Sequence, residues 1–252
     1  MKLTVIGSGT AIPQKDRSAP CFLIQDQGNN IVVDLGPGST RGILLHAGLT
    51  VRDVDLILLS HLHPDHCSDL VPFLFALRAG EFGRRDPLTV LGPRGIEDHY
   101  EDLRRMYGHR VEANGYHLSF ADWVGTKRKF GSLLLGAAPT VHSVRNLAWC
   151  VEGPEGNAVI LTGDGEPSEE LVELGRTSDH LLVAECSLPV GKAAAGHMNA
   201  GQAGDLAGMC HSRTLVLTHL NPEVDAGQAG EEARKHFVGK VIVAEDGMVI
   251  KV

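Results

Sequence analysis

SHLHPDHCSDL, residues 60–70, places His61, His63, Asp65 and His66 within six consecutive positions, directly after the apolar run VDLILL of residues 54–59. In a turn that follows a strand, His61 and His63 point the same way as alternate residues. Pro64 then redirects the chain, so that Asp65 and His66 face a neighbouring point. One segment can thereby serve two metal ions. Imidazole nitrogen and carboxylate oxygen together suit zinc and similar borderline divalent cations.

Three further groups of the same type occupy equivalent places downstream. His142 follows GAAPTV, Asp164 follows AVILTG and His219 follows RTLVLT, each where a strand-like run gives way to a loop. Strand ends hold ligands rigidly. Seven groups exceed the need of one tetrahedral ion and match two ions that share a carboxylate.

The rest of the chain alternates in the same way. KLTVIG, CFLIQ, NNIVVDLG and DLILLS read as strands, and helical spacing marks Ser39–Ala47, residues 67–78 and residues 95–107. The second half has strands SLLLGAAPTVHSV, LAWCVEG, NAVILTGD, HLLVAECS, RTLVLTHL, KVIVAE and GMVIKV, with helices over 168–174 and about 231–236. Asn199 is placed to cap a helix whose Ala200, Ala203, Ala207 and Cys210 share one face. Two αβ halves packed sheet against sheet would bring all the ligand-bearing strand ends to one edge. Residues 1–252 are expected to form one domain, because no linker or low-complexity tract divides them.

Composition narrows the function classes. With 43% hydrophobic but only 5% aromatic residues, the core is built mainly from Ala, Val, Leu and Ile. A formal net charge of −8 argues against a broad electrostatic grip on nucleic acid. Arg104, Arg105, Arg110, Lys127, Arg128 and Lys129 read as solvated faces balanced by acids, with a nucleic-acid patch as the alternative. Cys21, Cys67, Cys150, Cys186 and Cys210 are odd in number and without a CxxC pair, which predicts reduced thiols. The opening MKLTVIGSGT lacks a signal-peptide core and no 18-residue apolar run follows, so a cytoplasmic protein with no membrane partner is expected. Gly7 and Gly9 imitate a dinucleotide fingerprint, but Ile12 and Pro13 stand where its third glycine and helix are required.

With these residues in view, the sequence resembles the metallo-β-lactamase superfamily, whose HxHxDH motif is met by His61, His63, Asp65 and His66. The resemblance implies an α/β (α+β), four-layer αββα sandwich. It also implies a first metal held by His61, His63 and His142 and a second held by Asp65, His66 and His219, with Asp164 bridging. IGSGTAIP with Arg17 and Ser18, VVDLGPGSTRGIL, PTVHSV, LTGDGEP, LLVAECS and GHMNAGQAG are similar to successive motifs of the ribonuclease Z-like branch. In that branch a histidine of the GH motif, here His197, pairs with a glutamate on the preceding strand, here Glu185, and Asp34 resembles the aspartate that buttresses the metal loop.

The implied activity is metal-dependent hydrolysis of a phosphodiester. Two divalent ions, zinc with Mn or Fe as alternatives, lower the pKa of a water between them. Asp65 handles the nucleophile's proton, and His197 with Glu185 stabilises the phosphoryl oxygens or protonates the leaving group. Two departures bear on the substrate. Met198 and Asn199 follow His197 where ribonuclease Z proper has Ser-Thr. The interval from His142 to Asp164 holds little beyond a hairpin, LAWCVEGPEGNAVIL, without the tRNA-gripping arm that such enzymes insert there. The expected partner is a small-molecule phosphodiester or RNA. Alternatives are a homodimeric tRNA 3′-processing endonuclease, a hydrolase of lactones, β-lactams, thioesters or sulfate esters, and a non-catalytic metal-binding module. Residues 77–87 and 113–128 are expected to be the loops that set substrate choice.

Overall fold

The computed structural model describes residues 1–79, 86–125, 127–176 and 179–252. Among these, fourteen strands form two sheets. The first half contributes β1 (Lys2–Gly7), β2 (Cys21–Asp26), β3 (Asn29–Val33), β4 (Leu56–Leu58), β5 (Leu88–Gly92) and β6 (Leu118–Asp122). The second contributes β7 (Lys127–Phe130), β8 (Leu133–Thr140), β9 (Asn146–Glu152), β10 (Asn157–Leu161), β11 (Asp179–Glu185), β12 (Thr214–Thr218), β13 (Lys240–Val243) and β14 (Val249–Lys251). The sheet orders are β14-β1-β2-β3-β4-β5-β6 and β13-β12-β11-β10-β9-β8-β7. Both sheets follow one plan. In the first, β14 through β3 pair antiparallel and β3 through β6 parallel; in the second, β7 through β10 pair antiparallel and β10 through β13 parallel.

Period-two alternation explains the layers. Val159 and Leu161, Leu181 and Val183, and Val216 face a shared core with Phe22, Ile24, Ile31, Val33, Leu56 and Leu58 of the other sheet. Their neighbours Ile160, Leu182, Ala184, Leu215 and Leu217 face outward. There they meet α5 (Glu169–Gly175), α6 (Ala200–Met209) and α7 (Ala226–His236). On the opposite outer face, Leu23, Val32 and Ile57 are covered by α1 (Ser39–Ala47), α3 (Leu70–Ala79) and α4 (Ile96–Tyr107). A short α2 (Pro64–Cys67) lies within the histidine-rich segment. The outcome is the helix–sheet–sheet–helix sandwich that the resemblance implies.

Three local features position the functional edge. Gly7 ends β1 where the returning chain touches it: a Cβ there would lie 1.9 Å from the Ala19 carbonyl oxygen, so the glycine serves close approach and no dinucleotide. The predicted helix over 67–78 is interrupted before Leu70, where the Asp69 N–H leaves the helical ladder for the Leu35 carbonyl (2.9 Å) and the Asp69 carboxylate accepts from the N–H groups of Gly38 (3.1 Å) and Thr40 (2.5 Å). Asn199 caps α6 through a reciprocal box with Gln202, each side chain accepting the other's backbone N–H at 3.0 Å.

The expectation of a loop over 113–128 is corrected: β6 occupies Leu118–Asp122 and β7 begins at Lys127. Both are the first sheet's or second sheet's outermost strands and neither has a fully buried residue, so the apolar alternation that marks a strand is weak there. Of the loop expected over 77–87, positions 80–85 lie outside the described residues, as does position 126 of the other.

Trp149 is the largest fully buried side chain and its indole Nε1–H donates to the Leu59 carbonyl oxygen at 3.1 Å. Trp149→Ala is therefore expected to cost about 3–5 kcal/mol of unfolding free energy. Denaturant unfolding at an unchanged m-value measures it; a loss below about 1 kcal/mol would contradict this packing.

Candidate metal centre

All seven ligand-type residues predicted from the sequence come together at one edge of the sandwich. His61 and His63 leave β4, His142 follows β8, Asp164 follows β10 and His219 follows β12. Their donor atoms fall into two groups, one of His61, His63, His142 and Asp164 and one of Asp65, His66 and His219, each within 4.8 Å. In the first, His61 Nε2 and His142 Nε2 lie 3.0 and 3.3 Å from His63 Nδ1. In the second, His219 Nε2 lies 3.3 Å from His66 Nε2 and 3.5 Å from Asp65 Oδ2. The Asp164 carboxylate stands between them. Its Oδ2 is 3.9 Å from His61 Nε2 and 4.0 Å from His142 Nε2, while its Oδ1 is 3.5 Å from His66 Nε2 and 3.5 Å from His219 Nδ1.

The hydrogen bonds behind these rings fix their tautomers. Asp34 accepts from Ser60 N–H (2.7 Å), from the Ser60 hydroxyl (2.8 Å) and from His66 Nδ1–H (2.8 Å). The Ser60 proton is thus committed, and its oxygen accepts from His61 Nδ1–H at 3.0 Å. His142 Nδ1–H donates to the Gly196 carbonyl at 2.8 Å. His61, His66 and His142 therefore all present Nε2 to the centre, the arrangement that metal-ligating histidines require. Asp34 and His219 hold φ of 60° and 56°, a left-handed backbone uncommon outside glycine.

Such a donor set fits a cation. Nitrogens bound tetrahedrally at 2.0–2.1 Å lie about 3.3–3.4 Å apart, close to the separations found. Asp164 Oδ1 and His219 Nδ1 are buried and have no hydrogen-bond partner among the described residues, a costly state that a bound ion relieves. Protonation agrees. Burial, reinforced by His66, pushes His61 down to about 2, so its ring is neutral. Burial works against ionised Asp65 and Asp164, but the facing histidines outweigh it: Asp65 is held down to about 2 by His219 and His66, and Asp164 lies well below the usual carboxylate range.

Beside the two groups stands His197. Its Nδ1 lies 2.9 Å from Glu185 Oε1, its ring meets His142 edge-on at 5.0 Å between centroids, and its side chain is 30% exposed. Glu185 is 1% exposed; it also accepts from Gly165 N–H (2.9 Å) and from the Ser187 hydroxyl (2.6 Å). The Glu185 hydrogen bond raises the His197 pKa against the opposing effect of burial. Sequence reasoning missed Ser60 and Glu166. Ser60 was legible only as the neighbour of the HxHxDH motif, and Glu166 only as part of LTGDGEP, without a role of its own.

Histidines and basic residues away from the centre behave as ordinary side chains. His180 hydrogen-bonds Ser212 at 2.8 Å and His236 lies between Asp205 and Glu232. Of the six basic residues read as solvated faces, Arg104 pairs with Glu101 and Glu112, Arg105 with Asp102 and Lys127 with Glu152. All five cysteines are free and buried, and burial pushes Cys67, Cys150 and Cys186 up to about 12. No thiol is expected to react rapidly with a disulfide reagent at pH 8, and five are expected to react after denaturation. A fast-reacting native thiol would contradict the packing. No helix of the described residues is long and apolar enough to cross a membrane.

The fold and the donor set together define a metal-dependent hydrolase. The chain belongs to the metallo-beta-lactamase superfamily, whose profile matches residues 15–197, and this family implies divalent metal ions. It is similar to Ribonuclease Z of Methanopyrus kandleri, 29% identical over 98% of this chain and 96% of the relative. It is also similar to Ribonuclease Z of Methanothermobacter thermautotrophicus, at 26% over 100% and 97%. Among solved structures, the metallo-beta-lactamase fold protein YhfI of Bacillus subtilis superposes with a TM-score of 0.85 at 25% identity, covering 99% of this chain and 98% of that one. The short form of human tRNase Z superposes with a TM-score of 0.81 at 22% identity, covering 100% and 99%, which shows the shared fold.

Proposed function

We propose that the protein is a phosphodiesterase that works with two divalent ions, zinc first with Mn or Fe as alternatives, held by His61, His63, Asp65, His66, His142, Asp164 and His219. The observation that carries this reading is the divided Asp164 carboxylate, with one oxygen toward each donor group. When bound, such ions supply Lewis acidity, making water nucleophilic at neutral pH and offsetting charge on the attacking and leaving oxygens. Asp65, held ionised at the mouth of the second group, orients that water and accepts its proton. His197 is anchored through Nδ1 by Glu185, which leaves Nε2 to hydrogen-bond a phosphoryl oxygen or to protonate the departing one. In this reading residues 1–252 act as one cytoplasmic domain.

The likeness to ribonuclease Z along nearly the whole length of those relatives supports a phosphodiester substrate. The absent arm favours a small phosphodiester or short RNA over folded tRNA. The alignment with the Methanothermobacter relative runs over 305 positions against 252 residues here, so at least 53 positions are filled only in the relative. Between His142 and Asp164 the chain has just the hairpin of β9 and β10. The test is a side-by-side assay of the metal-loaded protein on bis(p-nitrophenyl) phosphate, a lactone and a pre-tRNA. Turnover of the phosphodiester is expected. Hydrolysis of the lactone alone would overturn the reading, and 3′ cleavage of pre-tRNA by a homodimer would replace it with tRNA processing.

A further inference from the structure

Glu166 takes no part in the chemistry above, yet it joins the two segments that carry His142 and His197. Its backbone N–H donates to the Val141 carbonyl at 3.1 Å, in an isolated antiparallel bridge to the residue before His142. Its side-chain Oε1 accepts from the Gly196 N–H at 2.7 Å, thirty residues away. The carbonyl of that same Gly196 receives His142 Nδ1–H at 2.8 Å. A carbonyl can only accept, so this bond keeps the proton on Nδ1 and leaves Nε2 bare toward His63 Nδ1 and Asp164 Oδ2.

The turn is built for this contact. Gly196 has φ of +79°, and a Cβ there would press on His142 Nδ1 at 3.1 Å and on its Cα at 3.4 Å. On its N-terminal side, residues 190–195 are all exposed, and Lys192 N–H merely closes a local turn onto Pro189. The Glu166 carboxylate is half-buried and forms no ion pair among the described residues, so its charge is directed at the Gly196 amide, a charge-assisted bond of the stronger kind.

We propose that Glu166 is a positioning residue: by holding the Gly196 peptide, it fixes the ring orientation and tautomer of His142 and thereby the affinity of the first metal group. The proposal rests on the reading of that group as a metal site.

The test compares the parent chain with Glu166→Ala and Glu166→Gln, each freed of metal and titrated with Zn²⁺ against a chromophoric chelator. Outer partners of metal-binding histidines are worth about 10–100-fold in affinity, and Glu166→Ala is expected to weaken the first-group ion by that factor. Gln keeps an acceptor oxygen, so Glu166→Gln is expected to stay within about 3-fold of the parent. A loss of one loop hydrogen bond predicts that the metal-free Ala variant melts within about 4 °C of the parent, which separates positioning from general support of the fold. Unchanged affinity in the Ala variant, equal losses in both variants, or a larger drop in metal-free melting temperature would each overturn the assignment to Glu166. A parent chain that binds no Zn²⁺ would bring down the metal-site reading itself, and the proposal with it.

Discussion

Asp164→Ala is expected to lower phosphodiester turnover by at least about 10³-fold and to leave less than one ion per chain, because it removes the carboxylate whose two oxygens face one donor group each. Removal of an outer partner costs 10–100-fold in metal affinity, and loss of a shared ligand must cost more. The side chain is 4% exposed, and His66 and His219 each lie 3.5 Å from its Oδ1. Its deletion removes one of the two carboxylates that face both imidazoles, leaving only Asp65 Oδ2 at 3.7 Å from His66 Nε2 and 3.5 Å from His219 Nε2. The local backbone is held independently: the Asp164 carbonyl accepts from the Thr140 hydroxyl and from the Asn146 side-chain amide. The loop is therefore expected to keep its path while the centre fails. Metal analysis beside turnover on bis(p-nitrophenyl) phosphate measures both effects. Full metal content with normal turnover would contradict a bridging role.

His197→Ala is expected to act on the other side of the chemistry. General acid catalysis is typically worth about 10²–10⁴-fold, and kcat is expected to fall by that factor while KM changes little and metal content not at all. His197 belongs to neither donor group, and its contacts with His142 and His219 are ring contacts at 5.0 and 6.5 Å between centroids. Glu185→Gln is expected to reproduce part of the loss. The carboxylate that orients His197 Nδ1 also receives two backbone N–H groups and the Ser187 hydroxyl, and an amide cannot accept from all of them. A His197→Ala protein with parental kcat and full metal would remove His197 from the reaction.

The histidine-rich loop was legible because its information is local. Alternate spacing after a strand, with a proline to turn the chain, is enough to send His61 and His63 one way and Asp65 and His66 another. Asp164 and His219 are single residues in short motifs, and only their order along the chain and the shared placement after a strand brought them to notice. The alternation along β10, β11 and β12 gave the two-faced sheet directly, since buried residues there face the other sheet and the helices in turn.

Other features were hidden for physical reasons. β6 and β7 lie at sheet edges with half-solvated faces, so the pattern of burial that betrays a strand is absent. That β14 closes the first sheet against β1 depends on a pairing between the two ends of the chain, Lys2 with Lys251, which no local window contains. Glu166 lies within LTGDGEP, but its contact is with the amide of a distant glycine, and any residue can supply an amide.

The central claim, two ions held by seven side chains around Asp164, is tested most directly by metal stoichiometry. Protein purified without chelator, loaded with Zn²⁺, freed of excess by gel filtration and analysed by inductively coupled plasma mass spectrometry is predicted to carry two ions per chain. A chain that retains none, or that saturates at one with Asp164→Ala binding as well as the parent, contradicts it.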